Sequence, residues 1–115
     1  MKLNEIAQKL ELETRAGGSG LDTEVRGGYV GDLISDVIAN GREGVLWVTH
    51  QTHQNTVAAA SLKGLAGIVL ANGREPEEDT LQKAKAEDMP LLVSGLTAFE
   101  LVGRLYGLGL SGVKK

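Results

Sequence analysis

The chain has 115 residues, of which 42% are hydrophobic and 23% are charged, and its formal net charge is −3. A chain of this length forms one domain and buries roughly 65% of the surface that its unfolded form exposes. The scattered basic residues argue against nucleic-acid binding, since nucleic-acid-binding domains cluster Lys and Arg on one face. The absence of cysteine excludes disulfides, a thiolate nucleophile and a zinc-thiolate site, and it agrees with a reducing cytoplasm.

The first residues, MKLNEIAQKLELE, lack the apolar core of a signal peptide. No apolar run is as long as the roughly 18 residues that a membrane-spanning helix needs. We therefore expect a cytoplasmic protein without membrane contact. Four apolar residues at helical spacing predict a short amphipathic helix at the start: Leu3, Ile6, Ala7 and Leu10. A short strand over 12–14 and a flexible glycine-rich loop over 16–20 are expected next.

The middle of the chain is expected to begin with an extended piece over 23–26 and a turn at Gly27-Gly28. A helix that stops at Asn40-Gly41 should follow. Its predicted buried stripe consists of Val30, Leu33, Ile34, Val37 and Ile38.

Three apolar strand cores follow at regular spacing, beginning at Val45, Ile68 and Leu91, each 23 residues after the last. Continuous apolar runs such as VLWV and GIVLA are typical of parallel strands buried on both faces. The helix after the second core should begin at Pro76 with acidic residues in its first turn, and the last helix should begin with the capping box Thr97-x-x-Glu100. We therefore predict a single three-layer α/β/α domain over 1–115, with a mainly parallel sheet of four to five strands and a C-terminal tail from about 109.

Polar side chains gather where two of these strands end, and parallel strands present such ends at one edge of the sheet. We predict that a small ligand binds there, together with two residues of the glycine turn. The predicted ligand-binding residues are Thr49, His50, His53, Asn55, Asn72, Gly73, Arg74, Gly28 and Tyr29.

The two histidines allow several interpretations. As metal ligands they lack the third and fourth donors that a transition metal needs, so no metal site is predicted. As general bases they would need a nucleophile or an orienting carboxylate, and neither lies in their loop. They would otherwise cap the next helix, hydrogen-bond across the strand ends or contact a small molecule.

The glycine turn over 26–32 resembles a phosphate-binding turn, but the fingerprint G-x-G-x-x-G would need glycine where Arg26 stands. Asp32 would repel a phosphate there, so it is expected to cap the helix or tighten the turn. No Walker sequence is present, which argues against a P-loop NTPase. Tyr29 is expected to pack on its own helix or to stack on a base, and Trp47 to lie in the core.

Gly73 is expected to adopt a positive φ in a tight turn. Arg74 follows it at a strand end, beside a helix N-terminus. It is expected either to hold a phosphate or carboxylate or to pair with Glu75 or Glu78 in solvent.

Three segments match the pattern of stand-alone bacterial DRTGG domains: GGYVGDLxSDV at 27–37, LWxTxQTHQNxVAxA at 46–60 and NGREP at 72–76. The chain resembles this family from about residue 25 to residue 108, and its THQN segment is the most specific part. The resemblance implies a fold related to the N-terminal domain of HPr kinase/phosphorylase. By position, the Asp-Arg of the family name falls in the loop over 49–55 and the Thr-Gly-Gly near 71–73; neither is kept literally.

Similar domains accompany nucleotide-binding CBS domains in regulated pyrophosphatases and extend phosphotransacetylases. In those proteins they are not the catalytic part, and they tend to pair with another copy of themselves. The resemblance implies a non-catalytic regulatory homodimer without a cofactor. It would bind a small anionic metabolite, of which an adenine nucleotide is one candidate, and it would act on a partner enzyme. The alternatives are a ligand-free protein-docking module and, third, a hydrolase or transferase that uses His53.

Overall fold

A computed structural model, which describes residues 1–113, is built around a five-stranded sheet. The strands are β1 (Glu13–Ala16), β2 (Gly27–Val30), β3 (Val45–Thr49), β4 (Gly67–Leu70) and β5 (Leu91–Val93). The helices are α1 (Leu3–Leu10), α2 (Ile34–Asn40), α3 (Gln54–Lys63), α4 (Glu78–Glu87) and α5 (Ala98–Gly107). No helix within residues 1–113 is long and apolar enough to cross a membrane.

The sheet has the strand order β1-β5-β4-β3-β2. Strands β2 to β5 are parallel neighbours, with Trp47 opposite both Tyr29 and Ile68, and β1 joins β5 in the antiparallel direction. The predicted mainly parallel sheet is confirmed. Because each β–α–β step returns the chain to the same end of the sheet, the carboxyl ends of β2 to β5 meet at one edge, which we call the carboxyl edge.

Helices cover both faces of the sheet, because successive side chains along a strand point to opposite faces. Trp47, Ile68 and Leu70 pack under α2, α3 and α4. Leu46, Val69 and Leu92 pack under α1 and α5. All of these side chains are fully buried, so the predicted three-layer arrangement and the core position of Trp47 are confirmed.

The prediction for residues 27–38 is wrong in its boundaries. Gly27 to Val30 form strand β2 instead of a turn and a helix start, and α2 begins only at Ile34. Of the predicted stripe, Val37 is fully buried and Ile34 packs partly against the core, whereas Val30, Leu33 and Ile38 are exposed. The glycines indicated a turn, but here they serve a strand that another segment approaches closely.

That other segment is the described part of the predicted tail. The Gly28 main-chain N–H donates to Ser111 O at 2.9 Å, and Gly28 forms a parallel bridge with Gly112. A Cβ on Gly27 would lie 2.9 Å from Ser111 O, so the approach requires glycine. Residues 111–112 thus run beside β2 at its free edge, while residues 114–115 of the tail lie outside the described residues.

The glycine-rich segment begins after Ala16, which still belongs to β1, and continues as a short 3-10 turn over Gly18–Gly20. Gly17 lies at a φ of 73°, directly against the main chain of Met89 and Pro90. The Ser19 hydroxyl donates to Asp88 at the end of α4. The segment is therefore packed against the α4–β5 connection, and its flexibility stays a prediction.

The predicted start of α5 agrees with the structure, with one of the two bonds of the capping box present, whereas the predicted start of α4 at Pro76 is two residues too early. At α5, Thr97 Oγ1 accepts a hydrogen bond from the Glu100 main-chain N–H at 3.4 Å. Helix α4 begins two residues after Pro76, with Glu78 and Asp79 in its first turn, where acidic side chains interact favourably with the helix dipole. Both helices therefore start close to the carboxyl edge.

Candidate functional site

The carboxyl edge carries the polar loops that follow β2, β3, β4 and β5. Thr49 is the last residue of β3, and His50 and His53 lie in the loop between β3 and α3. Asn72, Gly73 and Arg74 lie in the loop between β4 and α4. The parallel pairing of β3 with β4 brings these two loops together, as the sequence predicts.

Asp32, just after β2, is the centre of a hydrogen-bonded cluster. Its Oδ1 accepts from Thr49 Oγ1 at 2.9 Å and from the His50 main-chain N–H at 2.7 Å, and its Oδ2 lies 3.2 Å from His50 Nδ1. Gln51 Nε2 donates to the Asp32 carbonyl at 2.9 Å. The expectation that Asp32 caps α2 is wrong, because Leu33 is the capping residue and makes no side-chain cap. The hydrogen bonds of Asp32 instead connect the end of β2 to the loop after β3.

The hydrogen bonds also set the protonation of Asp32. Partial burial, the largest single influence, acts to raise the pKa of this carboxyl group. The hydrogen bonds from the His50 main chain, the His50 ring and the Thr49 hydroxyl together outweigh that influence and hold the pKa of Asp32 below its ordinary value. Asp32 is therefore a carboxylate at neutral pH and accepts all three bonds.

A second cluster joins the same loop to the start of α4. Glu77 Oε2 lies 3.3 Å from His53 Nδ1 and accepts from Thr52 Oγ1 at 3.3 Å. Thr80 Oγ1, which is buried, donates to the Thr52 carbonyl at 2.6 Å. His53 occupies the capping position of α3, but its ring makes no cap to that helix. Its main-chain carbonyl accepts from Thr56 instead.

Each histidine thus has a carboxylate partner that the sequence analysis missed. Asp32 and Glu77 lie far from the histidines along the chain, and only the pairing of neighbouring strand ends brings them together. A carboxylate on Nδ1 orients an imidazole and leaves Nε2 to face a ligand. The nearby hydroxyls of Thr49 and Thr52 donate to the carboxylates, so neither is aimed at a histidine as a nucleophile would be.

The loop after β4 is a tight turn, in which Asn72 and Gly73 have φ values of 63° and 68°. The positive φ predicted for Gly73 is confirmed. The main-chain N–H groups of Asn72 and Gly73 donate to Leu96 and Ser94, and that of Arg74 donates to Ala71. With these donors engaged, the side chain of Arg74 is the basic group that the turn exposes to solvent.

Arg74 is exposed, and within residues 1–113 its side chain makes no hydrogen bond or ion pair. The alternative in which it pairs with Glu75 or Glu78 is wrong for this structure. Glu75 is engaged by Arg15, and Glu78 accepts from Gln82 at 2.9 Å. Arg74 therefore presents an uncompensated positive charge at the carboxyl edge.

Arg15 of β1 holds the loop that carries Arg74. Its Nε and Nη2 donate to the two carboxylate oxygens of Glu75 at 2.8 and 2.9 Å, and Nη2 also contacts Glu13 at 2.8 Å. The hydrogen bond from Arg15 lowers the pKa of Glu75, and the bonds to Glu75 and Glu13 raise the pKa of Arg15. The antiparallel strand β1 thus fixes the position of the β4–α4 loop.

We expect Arg15→Gln to lower the free energy of unfolding by no more than about 1 kcal/mol, because the paired groups are largely exposed to solvent. The loss should shrink in high salt, which screens such pairs. Urea denaturation at low and at high NaCl concentration measures both. A loss that is independent of salt would show that Arg15 acts by packing instead of by charge.

Two of the predicted ligand-binding residues lie away from the loops around Arg74, and the side chain of a third, Asn55, is part of a different surface. Gly28 and Tyr29 lie within β2, and the Tyr29 hydroxyl donates to Asp36 of α2, in agreement with packing on its own helix. Asn55 lies in the first turn of α3, on a surface shared with Ile34 and Leu62. No group of three or more His, Cys, Asp or Glu side chains within residues 1–113 is arranged to hold a metal ion.

Comparison with known proteins gives a likeness in fold. No protein-family model matches the chain, and no curated protein matches it. The fold is similar to a crystal structure of the CBS and DRTGG domains of the regulatory region of Clostridium perfringens pyrophosphatase, complexed with its activator diadenosine tetraphosphate. The TM-score is 0.69 at 13% identity, and the match covers 99% of this chain but only 50% of that one. The likeness supports a DRTGG-like fold, as the three sequence segments indicate.

Proposed function

We propose that this protein is a non-catalytic regulatory domain that binds a small anionic metabolite at the carboxyl edge, with an adenine nucleotide as the first candidate. It acts in the cytoplasm as a homodimer on a separate partner protein. The observation that carries the proposal is Arg74, an exposed guanidinium without a protein partner in residues 1–113, held in place by a tight turn. A planar guanidinium with free donors recognises phosphate or carboxylate by paired hydrogen bonds.

The surroundings of Arg74 support an anionic ligand. Helix α3 begins in the neighbouring loop without a side-chain cap, so the N–H groups of its first turn have no side chain to bind. Helix N-termini of this kind attract phosphate groups. Asp32 and Glu77 carry negative charge nearby, and their hydrogen bonds to Thr49, Thr52 and the two histidines hold them in place without neutralising them, so the positive charge for an anionic ligand has to come from Arg74.

The structural likeness is consistent with a regulatory role and indicates which nucleotides to test first. The similar solved structure is a regulatory region that holds diadenosine tetraphosphate as its activator. A ligand that changes the activity of a partner must bind one arrangement of the domain more tightly than another. The loops at the carboxyl edge are suited to such a change, because Asp32 and Glu77 link them to β2 and α4.

The test is a titration of purified protein with AMP, ADP, ATP and diadenosine tetraphosphate, followed by calorimetry and thermal unfolding. A ligand at a hundred times its dissociation constant stabilises by about 2.7 kcal/mol, which raises the melting temperature by roughly 3 to 7 °C. We expect Arg74→Ala to weaken binding at least about tenfold, the loss of one charge-assisted contact. Arg42→Ala is the matched control, because Arg42 is exposed and lies in the α2–β3 connection, at the opposite edge.

If none of these nucleotides raises the melting temperature of the wild-type protein, the nucleotide proposal fails. Equal weakening by Arg74→Ala and Arg42→Ala would place the ligand elsewhere. The second candidate, a ligand-free docking module, is favoured by the exposed apolar side chains Leu33 and Leu62 beside α2 and α3, which are 69% and 71% exposed. In that case Leu62→Glu, and not Arg74→Ala, would abolish capture of the partner.

A further inference from the structure

A second apolar surface lies at the opposite face of the sheet, where α5 crosses β2. We call it the α5 patch and define it by Val30, Phe99, Val102 and Tyr106. Phe99 is 90% exposed, Tyr106 69% and Val30 50%. Exposed aromatic side chains grouped in this way mark an interaction surface, since scattered single residues would carry no such meaning.

The patch combines projecting side chains with a hollow. A cavity of about 250 Å³ lies between α5 and the edge of β2, and Val30, Val102 and Tyr106 line it together with Gly28 and Gly112. A more open groove lies next to it, shares the side chains of Val30, Val102 and Tyr106 with it, and is bordered by Phe99 and Gly103. The lining of the groove is apolar apart from the hydroxyl of Tyr106, so an apolar protein side chain fits it better than a small charged metabolite.

The charged side chains on α5 indicate which partner occupies the groove. Glu100 and Arg104 stand beside the patch, half-exposed, with Glu100 Oε1 3.2 Å from Arg104 Nε. If a second α5 packs antiparallel with its midpoint near Val102, Glu100 faces the partner's Arg104 and Phe99 approaches the partner's Tyr106. In this arrangement the surface is complementary to itself in charge, as a two-fold interface requires.

The backbone of α5 permits this approach. Gly103 lies at the centre of the antiparallel arrangement, and no heavy atom lies within 4 Å of where its Cβ would be. The exposed parts of Phe99 and Tyr106 alone would bury about 300 Å² per copy, a substantial part of the about 800 Å² of a standard interface. The other exposed apolar surface, beside α2 and α3, carries no ion pair among the described residues.

We propose that the α5 patch is the surface through which two copies of this chain form a two-fold dimer. The inference rests on the dimer in the proposed function and adds its location. Phe99 of each copy enters the groove between α5 and β2 of the other. Glu100 and Arg104 form reciprocal ion pairs across the interface and set the antiparallel register.

The first experiment is sedimentation equilibrium of the wild-type protein, of Phe99→Glu and of the matched control Leu62→Glu. Both substituted side chains are exposed, so both variants should fold, which circular dichroism checks. We expect Phe99→Glu to raise the dimer dissociation constant by about 100-fold or more, because a hot-spot residue is replaced twice in a symmetric interface. Leu62→Glu should leave it unchanged. A dimer that survives Phe99→Glu, or that only Leu62→Glu breaks, would overturn the proposed location.

A charge-exchange experiment tests the register. Glu100→Arg alone and Arg104→Glu alone each place like charges opposite one another, so each variant should dimerise more weakly than the wild type. Mixed in equal amounts, the two variants should form a heterodimer in which both cross-interface pairs are attractive. A merely structural role of the pair within one helix would give no such preference, and its absence would overturn the proposed register.

The two proposals fail in different ways. Nucleotide binding by Phe99→Glu is measured by the same calorimetry as for the wild type, and Arg74 lies on a different surface from Phe99. A wild-type protein that is monomeric at all concentrations overturns the dimer and its location together. Loss of nucleotide binding without loss of the dimer overturns the ligand proposal alone.

Discussion

Gly17→Ala is expected to lower the free energy of unfolding by about 3 kcal/mol, combining the strain of a positive φ with overpacking. Gly17 has a φ of 73°, which L-residues with a side chain rarely adopt. A Cβ there would also lie 2.3 Å from the main-chain carbon of Met89 and 2.4 Å from the nitrogen of Pro90. Because these are backbone atoms, neither can move aside without shifting the start of β5.

Gly18→Ala is the matched control, since its Cβ would meet no atom within 4 Å. It should change stability by no more than about 0.5 kcal/mol, as is usual for surface substitutions. Urea denaturation of the wild type and of both variants measures the change in the free energy of unfolding, provided that its dependence on urea concentration is the same for all three. A loss below about 1 kcal/mol for Gly17→Ala would contradict this prediction. It would show that the contact between Gly17 and the α4–β5 connection adjusts easily to a Cβ.

Asp32→Ala is expected to cost about 2 kcal/mol of stability, because it removes the acceptor of the Thr49 hydroxyl and of the His50 main-chain N–H. Thr49 is fully buried in the folded protein, and each of the two lost hydrogen bonds contributes about 1 kcal/mol. Asp32→Asn, which keeps an oxygen acceptor, should cost less. Asp22→Ala, at an exposed aspartate, is the control and should change stability by no more than about 0.5 kcal/mol.

The same carboxylate predicts a dependence on pH. The pKa of Asp32 is lowered in the folded protein, so its contribution is present above the unfolded-state pKa of about 3.9 and is lost as pH falls through the folded value. Between pH 6 and pH 3 the wild type should therefore lose more stability than Asp32→Asn. Chemical denaturation at several pH values measures this difference. Parallel profiles for the two proteins would contradict the lowered pKa.

The core strands could be predicted from the sequence because each is an uninterrupted apolar run. Val45, Ile68 and Leu91 begin segments that are buried on both faces, and such runs have few other uses in a soluble domain. Gly27 and Gly28 predict a turn, because paired glycines usually mark turns. They lie in a strand because β2 pairs with β3 along its length, and Ser111 approaches its free edge from the far end of the chain.

In the candidate site, too, some features could be predicted from the sequence and others depend on the tertiary structure. The loops with His50, His53 and Arg74 could be located from the sequence, because parallel strands end at a common edge. The partners of these side chains could not, since Asp32, Glu77 and Arg15 come from distant segments. The sequence likewise left open whether Arg74 is paired or free, and the answer depends on Arg15 engaging the neighbouring glutamate.

By itself, the sequence determined the layer architecture, the direction of the main strands and the edge at which polar loops gather. Those properties follow from local patterns of apolar and polar residues, which act over a few residues. The tertiary structure decided which charges are paired, which glycines permit close contact and which helix face stays uncovered. Each of those properties involves residues that are far apart in sequence. Hydrogen bonds and packing depend on distances in space, which local sequence patterns do not contain.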